Sequence, residues 1–385
     1  GDLTGIRPTK IPMKLLEEGW KNTEIARYMR ETYGVSNEKT ALAITIANRE
    51  KALLQDLDYE NGYSLYVGIP FCPSICLYCS FGSHPLERWT KRVDEYLDTL
   101  CKELTFIREQ MGARKLTTVY IGGGTPTTLE PEQLRRLLSH IQETFDFTWV
   151  KEYTVEAGRP DSITREKLQV MKEFPVTRIS VNPQTMNQKT LDVIGRKHTV
   201  EDTVNIFHMA RELGFDNINM DLIIGLPGEG KEEVAHTLQE VENLHPDSLT
   251  IHSLALKRAT RLNLFKDKYE EMSFENSQEI MEMTQQCAGN MGMGPYYLYR
   301  QKNIAGNFEN VGYAEVDKAG IYNILIMEEK QTILAAGAGA STKFVFEHGT
   351  RIERVENVKD VNNYILRIDE MLERKRVGIQ KYLNG

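Results

Sequence analysis

Residues 66 to 81 read Tyr-Val-Gly-Ile-Pro-Phe-Cys-Pro-Ser-Ile-Cys-Leu-Tyr-Cys-Ser-Phe, and the rest of the chain is organised around them. Cys72, Cys76 and Cys79 follow an apolar, strand-like run, Leu65 to Ile69, so one loop can bring their three thiolates to a point. Soft sulfur ligands gathered on a loop imply a metal. A closed structural zinc site takes four ligands, usually as two separated pairs, and the nearby fourth candidate is His84. A cubane iron–sulfur cluster normally takes four thiolates. Three would leave one iron without a protein ligand, open to a small molecule. The plainer readings are a zinc knuckle completed by His84, or three buried thiols.

The 385 residues carry a net charge of −8, with 41% hydrophobic and 26% charged residues, as an ordinary globular enzyme does. No apolar run approaches the ~18 residues of a membrane span, and the first residues lack the charged-then-apolar pattern of a signal peptide. A cytoplasmic protein is expected. The acidic balance argues against nucleic acid as main partner, since backbone binding needs a concentrated positive field. Of the five cysteines, Cys101 falls on the stripe Val93, Leu97, Leu100, Leu104, Ile107, and Cys287 lies among Ile280, Met283 and Met291 at helical spacing. Both are expected in the core rather than as ligands.

The chain opens at Gly1 in a segment that reads as mid-protein, and an upstream region is expected. Residues 11 to 56 give helical stretches, including Asn37 to Leu54. Thr23 to Ala26 with Tyr33 to Ser36 faintly resembles a helix-turn-helix, but helices lying across a catalytic domain are the favoured reading. From Leu65 onward, strand-like runs at Leu65–Ile69, Thr118–Ile121, Tyr153–Val155, Arg178–Val181, Ile218–Ile224 and Leu249–Leu254 alternate with amphipathic helices. Repeated βα units predict an α/β fold with a parallel sheet, closed as a barrel or partly open. The expected organisation is an N-terminal helical segment over 1–60, a barrel over 61–256 and a substrate-covering region over 257–385. A charged helix is expected over 358–376, with Val361, Tyr364, Ile365, Ile368 and Leu372 on one face.

The unusual polar and glycine residues recur at one place in each unit. The cysteines follow the first strand, Gly122-Gly123-Gly124-Thr125-Pro126 the second, Glu156 ends the third, Gln184 follows the fourth and Asp221 lies in the fifth. In a β/α barrel, chemistry is built on the C-terminal rim of the strands, where these residues converge. The glycine run lacks the lysine and serine or threonine of a P-loop and is not a dinucleotide fingerprint. Glycines at a strand end let backbone approach a ligand closely.

On these motifs the chain resembles radical S-adenosylmethionine (SAM) enzymes, and among them the oxygen-independent coproporphyrinogen III oxidase/dehydrogenase family, from about Tyr63 to Ser341. The resembling stretches are Tyr66–Cys72, Tyr78 before the third cysteine, Gly122–Thr127, Gln184 with Arg196, Asp221–Pro227 and Gly337–Ser341. The resemblance implies a partial (β/α)6 radical SAM barrel with N-terminal helices and a C-terminal α+β extension. It assigns Cys72, Cys76 and Cys79 to a [4Fe–4S] cluster. Gly123, Gly124 and Thr125 would contact the methionine part of SAM. Glu156, Gln184, Arg196 and Asp221 would make the remaining SAM contacts, and Tyr66 would lie near the cluster in a catalytic role. The implied reaction takes one electron from a donor such as a flavodoxin or ferredoxin, cleaves SAM to methionine and a 5′-deoxyadenosyl radical, and turns two propionates of coproporphyrinogen III into vinyl groups. A tetrapyrrole with four carboxylates calls for cations, and Arg258, Arg261, Arg300, Lys302 and Lys343 are placed for this.

Two departures stand out. Ser80-Phe81 follows Cys79, where the well-studied dehydrogenases carry a further cysteine. Tyr299 to Phe308 lacks the His-Asn…Tyr-Trp signature of the heme-chaperone branch, which leans against that function and towards a third branch. The rival readings are a heme-binding chaperone and a radical SAM methyltransferase acting on heme. Cys76→Ala is expected to abolish iron loading while leaving the circular dichroism spectrum of the folded chain unchanged. A full iron and sulfide complement in that variant would remove the cluster from this loop.

Overall fold

The structure, a computed structural model, describes residues 9–73, 84–253, 278–299 and 310–385. Through these residues run β1 (Tyr63–Ile69), β2 (Leu116–Gly123), β3 (Glu152–Gly158), β4 (Arg178–Gln184), β5 (Ile218–Ile224), β6 (Ser248–Ser253), β7 (Gly294–Tyr299), β8 (Asn310–Ala314), β9 (Thr332–Ala336), β10 (Ser341–Phe346) and β11 (Arg351–Glu356). The strand-like runs of the sequence fall within β1 to β6, save Leu254, which lies outside the described residues. The chain divides into two compact units.

The first unit holds Asp58–Asn182, Arg196–Ile218 and Glu329–Gly385. Here β9, β1, β2, β3 and β4 lie side by side, each parallel to its neighbour, and β10 and β11 extend from β9 as an antiparallel pair. β1 is buried at every residue but Tyr66. Strands covered on both faces read as unbroken apolar runs rather than as alternation. The helix Val93–Met111 buries the whole expected stripe, Cys101 included. Thr164 and Thr199 cap the helices Arg165–Lys172 and Val200–Glu212 by accepting the Lys167 and Asp202 N–H groups.

The second unit holds Gly1–Leu57, Pro183–Gly195 and Asn219–Glu328. β5 and β6 are parallel, β8 runs antiparallel to β6, and β7 antiparallel to β8. The helices Asn22–Tyr33 and Asn37–Leu54 are joined through Gly34, at φ +60°, and the Ser36 cap. The second of these helices packs on β7. Its Arg49 guanidinium donates to the carbonyls of Gly294 at 2.5 Å, Ala314 at 3.0 Å and Glu315 at 3.2 Å. The helix Asn37–Leu54 therefore serves the sheet of its own unit. Among the described residues no helix is long and apolar enough to cross a membrane.

The C-terminal helix differs from expectation. It forms as Val361–Leu366 and Ile368–Asn384, broken at Arg367, where φ −106° and ψ 24° leave helical geometry. No proline or glycine marks the break, so the apolar periodicity runs straight through it. Lys375, on its second half, is fully buried with Glu103 of the helix Val93–Met111, at 3.5 Å. Glu103 also accepts from the Gly337 N–H at 2.8 Å, the Tyr364 hydroxyl at 2.7 Å and the Asn357 amide at 2.9 Å. Lys375 donates to the Ala335 carbonyl at 2.9 Å and the Thr342 hydroxyl at 3.0 Å. Burial pushes the Lys375 ammonium below its ordinary range, and the Glu103 charge opposes that.

Removing one partner of a buried pair leaves the other charge uncompensated. Lys375→Met is expected to lower unfolding free energy by about 3–5 kcal/mol in chemical denaturation, and the double variant with Glu103→Gln to recover part of the loss. A loss below ~1 kcal/mol, the range of an exposed pair, would show that Glu103 does not depend on Lys375.

Candidate active site

Parallel pairing of β1 with β2 sets Gly68 opposite Gly122 and Ile69 opposite Gly123, so both strands end at one edge. Beyond it the two chains stay bonded. The Gly124 N–H donates to the Ile69 carbonyl and the Thr125 N–H to the Phe71 carbonyl, both at 2.7 Å. A Cβ at Gly124 would stand 2.5 Å from the Phe71 oxygen and 3.0 Å from the Cys72 sulfur. Gly123, at φ +105°, would place a Cβ 2.9 Å from the Ile69 backbone. The glycine run thus admits this chain's own cysteine-bearing segment.

Cys72 is half-buried. The Phe71 ring before it packs edge-on to Tyr96 at 5.4 Å, while Tyr96 donates its hydroxyl to the Gly68 carbonyl at 2.7 Å. His84 and Pro85 pair in parallel with Phe71 and Cys72, and the His84 ring lies edge-on to Trp89 at 5.4 Å. Cys76 and Cys79 lie outside the described residues, as do Arg258, Arg261, Arg300 and Lys302. Burial pushes the Cys287 thiol up to about 12 and raises that of Cys101 as well, which suits core residues and not thiolate ligands.

On the neighbouring strands, Tyr66, Tyr120 and Glu156 form one group. The Tyr66 and Tyr120 rings stack at 6.1 Å with 14° between planes, and the Tyr120 hydroxyl donates to Glu156. Burial, and secondarily the Glu156 charge, hold the Tyr66 phenol above its ordinary value, so it stays protonated at neutral pH. Glu156 Oε2 would lie 3.1 Å from a Cβ at Gly122. Tyr120 is the residue sequence reasoning missed. Its signal was its place two residues before Gly122, on the same strand face as Tyr66.

The turn after Gly124 is held from beneath. The Thr127 hydroxyl donates to the Ala157 carbonyl at 2.6 Å, and Lys167 donates to the carbonyls of Thr127 at 2.6 Å and Ser162 at 3.0 Å. Arg196 is half-buried in the first unit, four residues ahead of the helix Val200–Glu212.

The second unit carries Gln184 and Asp221. Gln184 is the last residue of β4 rather than the first after it, buried and at φ +70°. Its Oε1 accepts no hydrogen bond among the described residues. Asp221 is half-buried in β5, and Asn219 donates to its Oδ1 at 2.7 Å. Asn219 Oδ1 in turn accepts from the Ser248 hydroxyl at 2.8 Å and the Thr250 hydroxyl at 3.2 Å, which fixes the amide with its NH2 towards Asp221. His252 Nε2 stands 4.0 Å from the other Asp221 oxygen.

Residues 66–241 match the model of the radical SAM superfamily. The oxygen-independent coproporphyrinogen-III oxidase-like protein HemZ of Bacillus subtilis is 43% identical over 379 residues, 97% of this chain and 76% of that protein. The chain belongs to the coproporphyrinogen III oxidase-like family of radical SAM proteins. The heme chaperone HemW of Bacillus subtilis is 38% identical over 51% of this chain and 52% of that one. The solved coproporphyrinogen III oxidase of Escherichia coli, a radical SAM enzyme, superposes with a TM-score of 0.64 at 25% identity over 84% of this chain and 73% of its own. The α/β fold is that of the radical SAM family, and a [4Fe–4S] cluster and SAM are its cofactors. The residues present fit them. The Cys72 sulfur lies where only glycine can follow on β2, and Gln184 keeps a buried acceptor open.

Gly124→Ala is expected to cut iron bound after anaerobic reconstitution by more than half, with secondary structure by circular dichroism retained. Wild-type iron content would mean that the β2 turn and the cysteine segment can part without cost.

Proposed function

We propose that this chain is a radical SAM enzyme of tetrapyrrole metabolism that oxidatively decarboxylates propionate side chains of coproporphyrinogen III to vinyl groups. The observation that carries the reading is the bonded pair of segments Ile69–Cys72 and Gly124–Thr125. It sets the residues assigned to the methionine part of SAM against the first assigned cluster ligand. In this reading Cys72, Cys76 and Cys79 hold the cluster, which with SAM supplies one-electron chemistry strong enough to take hydrogen from an unactivated carbon.

The other residues bind and orient. Gly123, Gly124 and Thr125 offer backbone groups at the rim. The Arg196 guanidinium suits a carboxylate through its planar donor pairs. Glu156, held by Tyr120, and Asp221, held by Asn219, accept from an ammonium or from ribose hydroxyls. Tyr66 closes the floor beside Glu156 as a neutral phenol and adds no charge there. Each propionate would lose one hydrogen atom, one carbon dioxide and one electron. Lys343, half-buried on β10, is a candidate for a substrate carboxylate, and a flavodoxin or ferredoxin for the electron donor.

The relationship to a heme chaperone over half the chain favours a second reading, a protein that binds heme and turns nothing over. The absent His-Asn…Tyr-Trp signature between Tyr299 and Phe308 weighs against it. Anaerobic incubation of the reconstituted protein with SAM, dithionite and coproporphyrinogen III, followed by mass spectrometry, separates the two. The expected products are protoporphyrinogen IX, lighter by two carbon dioxide and four hydrogen atoms, and 5′-deoxyadenosine. 5′-Deoxyadenosine without decarboxylation would move the substrate to another tetrapyrrole, heme first. Stoichiometric heme binding with no SAM consumed would replace the enzyme by the chaperone.

A further inference from the structure

β4 ends in a strained residue. At φ +70° Gln184 occupies the left-handed region that glycine tolerates and other residues enter only when their surroundings force them. The three residues after it are all tied down within the same unit. The Thr185 hydroxyl donates to Glu229 Oε2 at 2.6 Å, the Met186 N–H to the Thr237 hydroxyl at 3.1 Å, and the Asn187 amide to Glu229 Oε2 at 3.0 Å and the Glu233 carbonyl at 2.9 Å. Glu229 is 2% exposed and borders a small cavity lined by Leu222, Ile224, Val234 and Leu238. A carboxyl buried among aliphatic side chains, with its hydrogen bonds directed at the turn Thr185–Asn187 and at Thr190 of the helix that follows it, has a local task.

We propose that Glu229 is a positioning residue which, through Thr185 and Asn187, holds Gln184 in its left-handed turn and so keeps the Gln184 carboxamide oxygen available to a donor on SAM. This rests on the reading of Gln184 as a SAM contact. The donor would be the ammonium or a ribose hydroxyl, since an amide oxygen accepts and does not donate. Glu229 acts as an acceptor towards both Thr185 and Asn187, so a neutral amide can replace it. Burial already pushes the carboxyl up from its ordinary value, against the pull of its hydrogen bonds to Thr185, Thr190 and Asn187.

The test measures SAM dissociation constants by equilibrium dialysis on the full reconstituted chain, with iron content and Tm recorded for each variant. Gln184→Ala is expected to weaken SAM about tenfold. Glu229→Leu should do the same, Glu229→Gln should stay within about twofold of wild type, and Gln184→Ala with Glu229→Leu should bind no more weakly than either alone. Thr185→Val deletes one hydroxyl at nearly constant volume and decides the matter if Glu229→Leu fails to fold. It should weaken SAM roughly threefold in the wild type and not at all on the Gln184→Ala background. Multiplying effects, or wild-type affinity in Glu229→Leu or Thr185→Val beside a weakened Gln184→Ala, would reduce Glu229 to ordinary packing and overturn the proposal alone. Wild-type affinity in Gln184→Ala would overturn it together with the reading of Gln184 as a SAM contact.

Discussion

Two backbone hydrogen bonds, from Gly124 to Ile69 and from Thr125 to Phe71, join the turn after β2 to the segment that enters the cysteine loop. They exist because no side chain stands at position 124. Any Cβ there would occupy the space of the Phe71 oxygen and the Cys72 sulfur. What lies beneath serves to keep this joint in register. Tyr96 fixes the Gly68 carbonyl and backs the Phe71 ring, and Lys167 fixes the far side of the turn through Thr127. A site built from backbone in this way is sensitive to displacement and tolerant of side-chain change around it.

The Glu103–Lys375 pair works at a longer distance along the chain. Its cost in desolvation is offset only because each charge has further partners, the Gly337 N–H, Tyr364 and Asn357 for the carboxylate, Ala335 and Thr342 for the ammonium. These partners bracket the Gly337-Ala338-Gly339 turn, and the Ala338 N–H donates to the same Tyr96 hydroxyl that holds Gly68. The last stretch of sequence is thereby coupled to β1. The residues that resemble nothing catalytic near the C-terminus hold the strand end from which the cysteines spring.

Much of this was legible in the sequence. The six strands announced themselves as short apolar runs because parallel strands are buried on both faces, and the helix Val93–Met111 by its stripe. The glycine run was recognisable as a place of close approach, though not as an approach to the chain's own Phe71 and Cys72. Tyr120 had a place two residues before Gly122 to mark it, but nothing in the sequence put its hydroxyl on Glu156. Two things left no trace. The break at Arg367 carries no proline or glycine. The left-handed turn at Gln184 sits on a residue type that gives no conformational warning, and its support comes from Glu229, 45 residues later in the chain. Periodicity reports which face is buried; it is silent about hydrogen bonds between distant polar groups.

The burial of Cys101 and Cys287 has a consequence for sulfur chemistry. A protonated thiol among aliphatic side chains is a poor nucleophile and a poor target for peroxide, because attack and oxidation both proceed through the thiolate. Burial pushes Cys287 up to about 12 and raises Cys101, so the thiolate is disfavoured at both. Among the five cysteines, thiolate chemistry is therefore left to Cys72, Cys76 and Cys79.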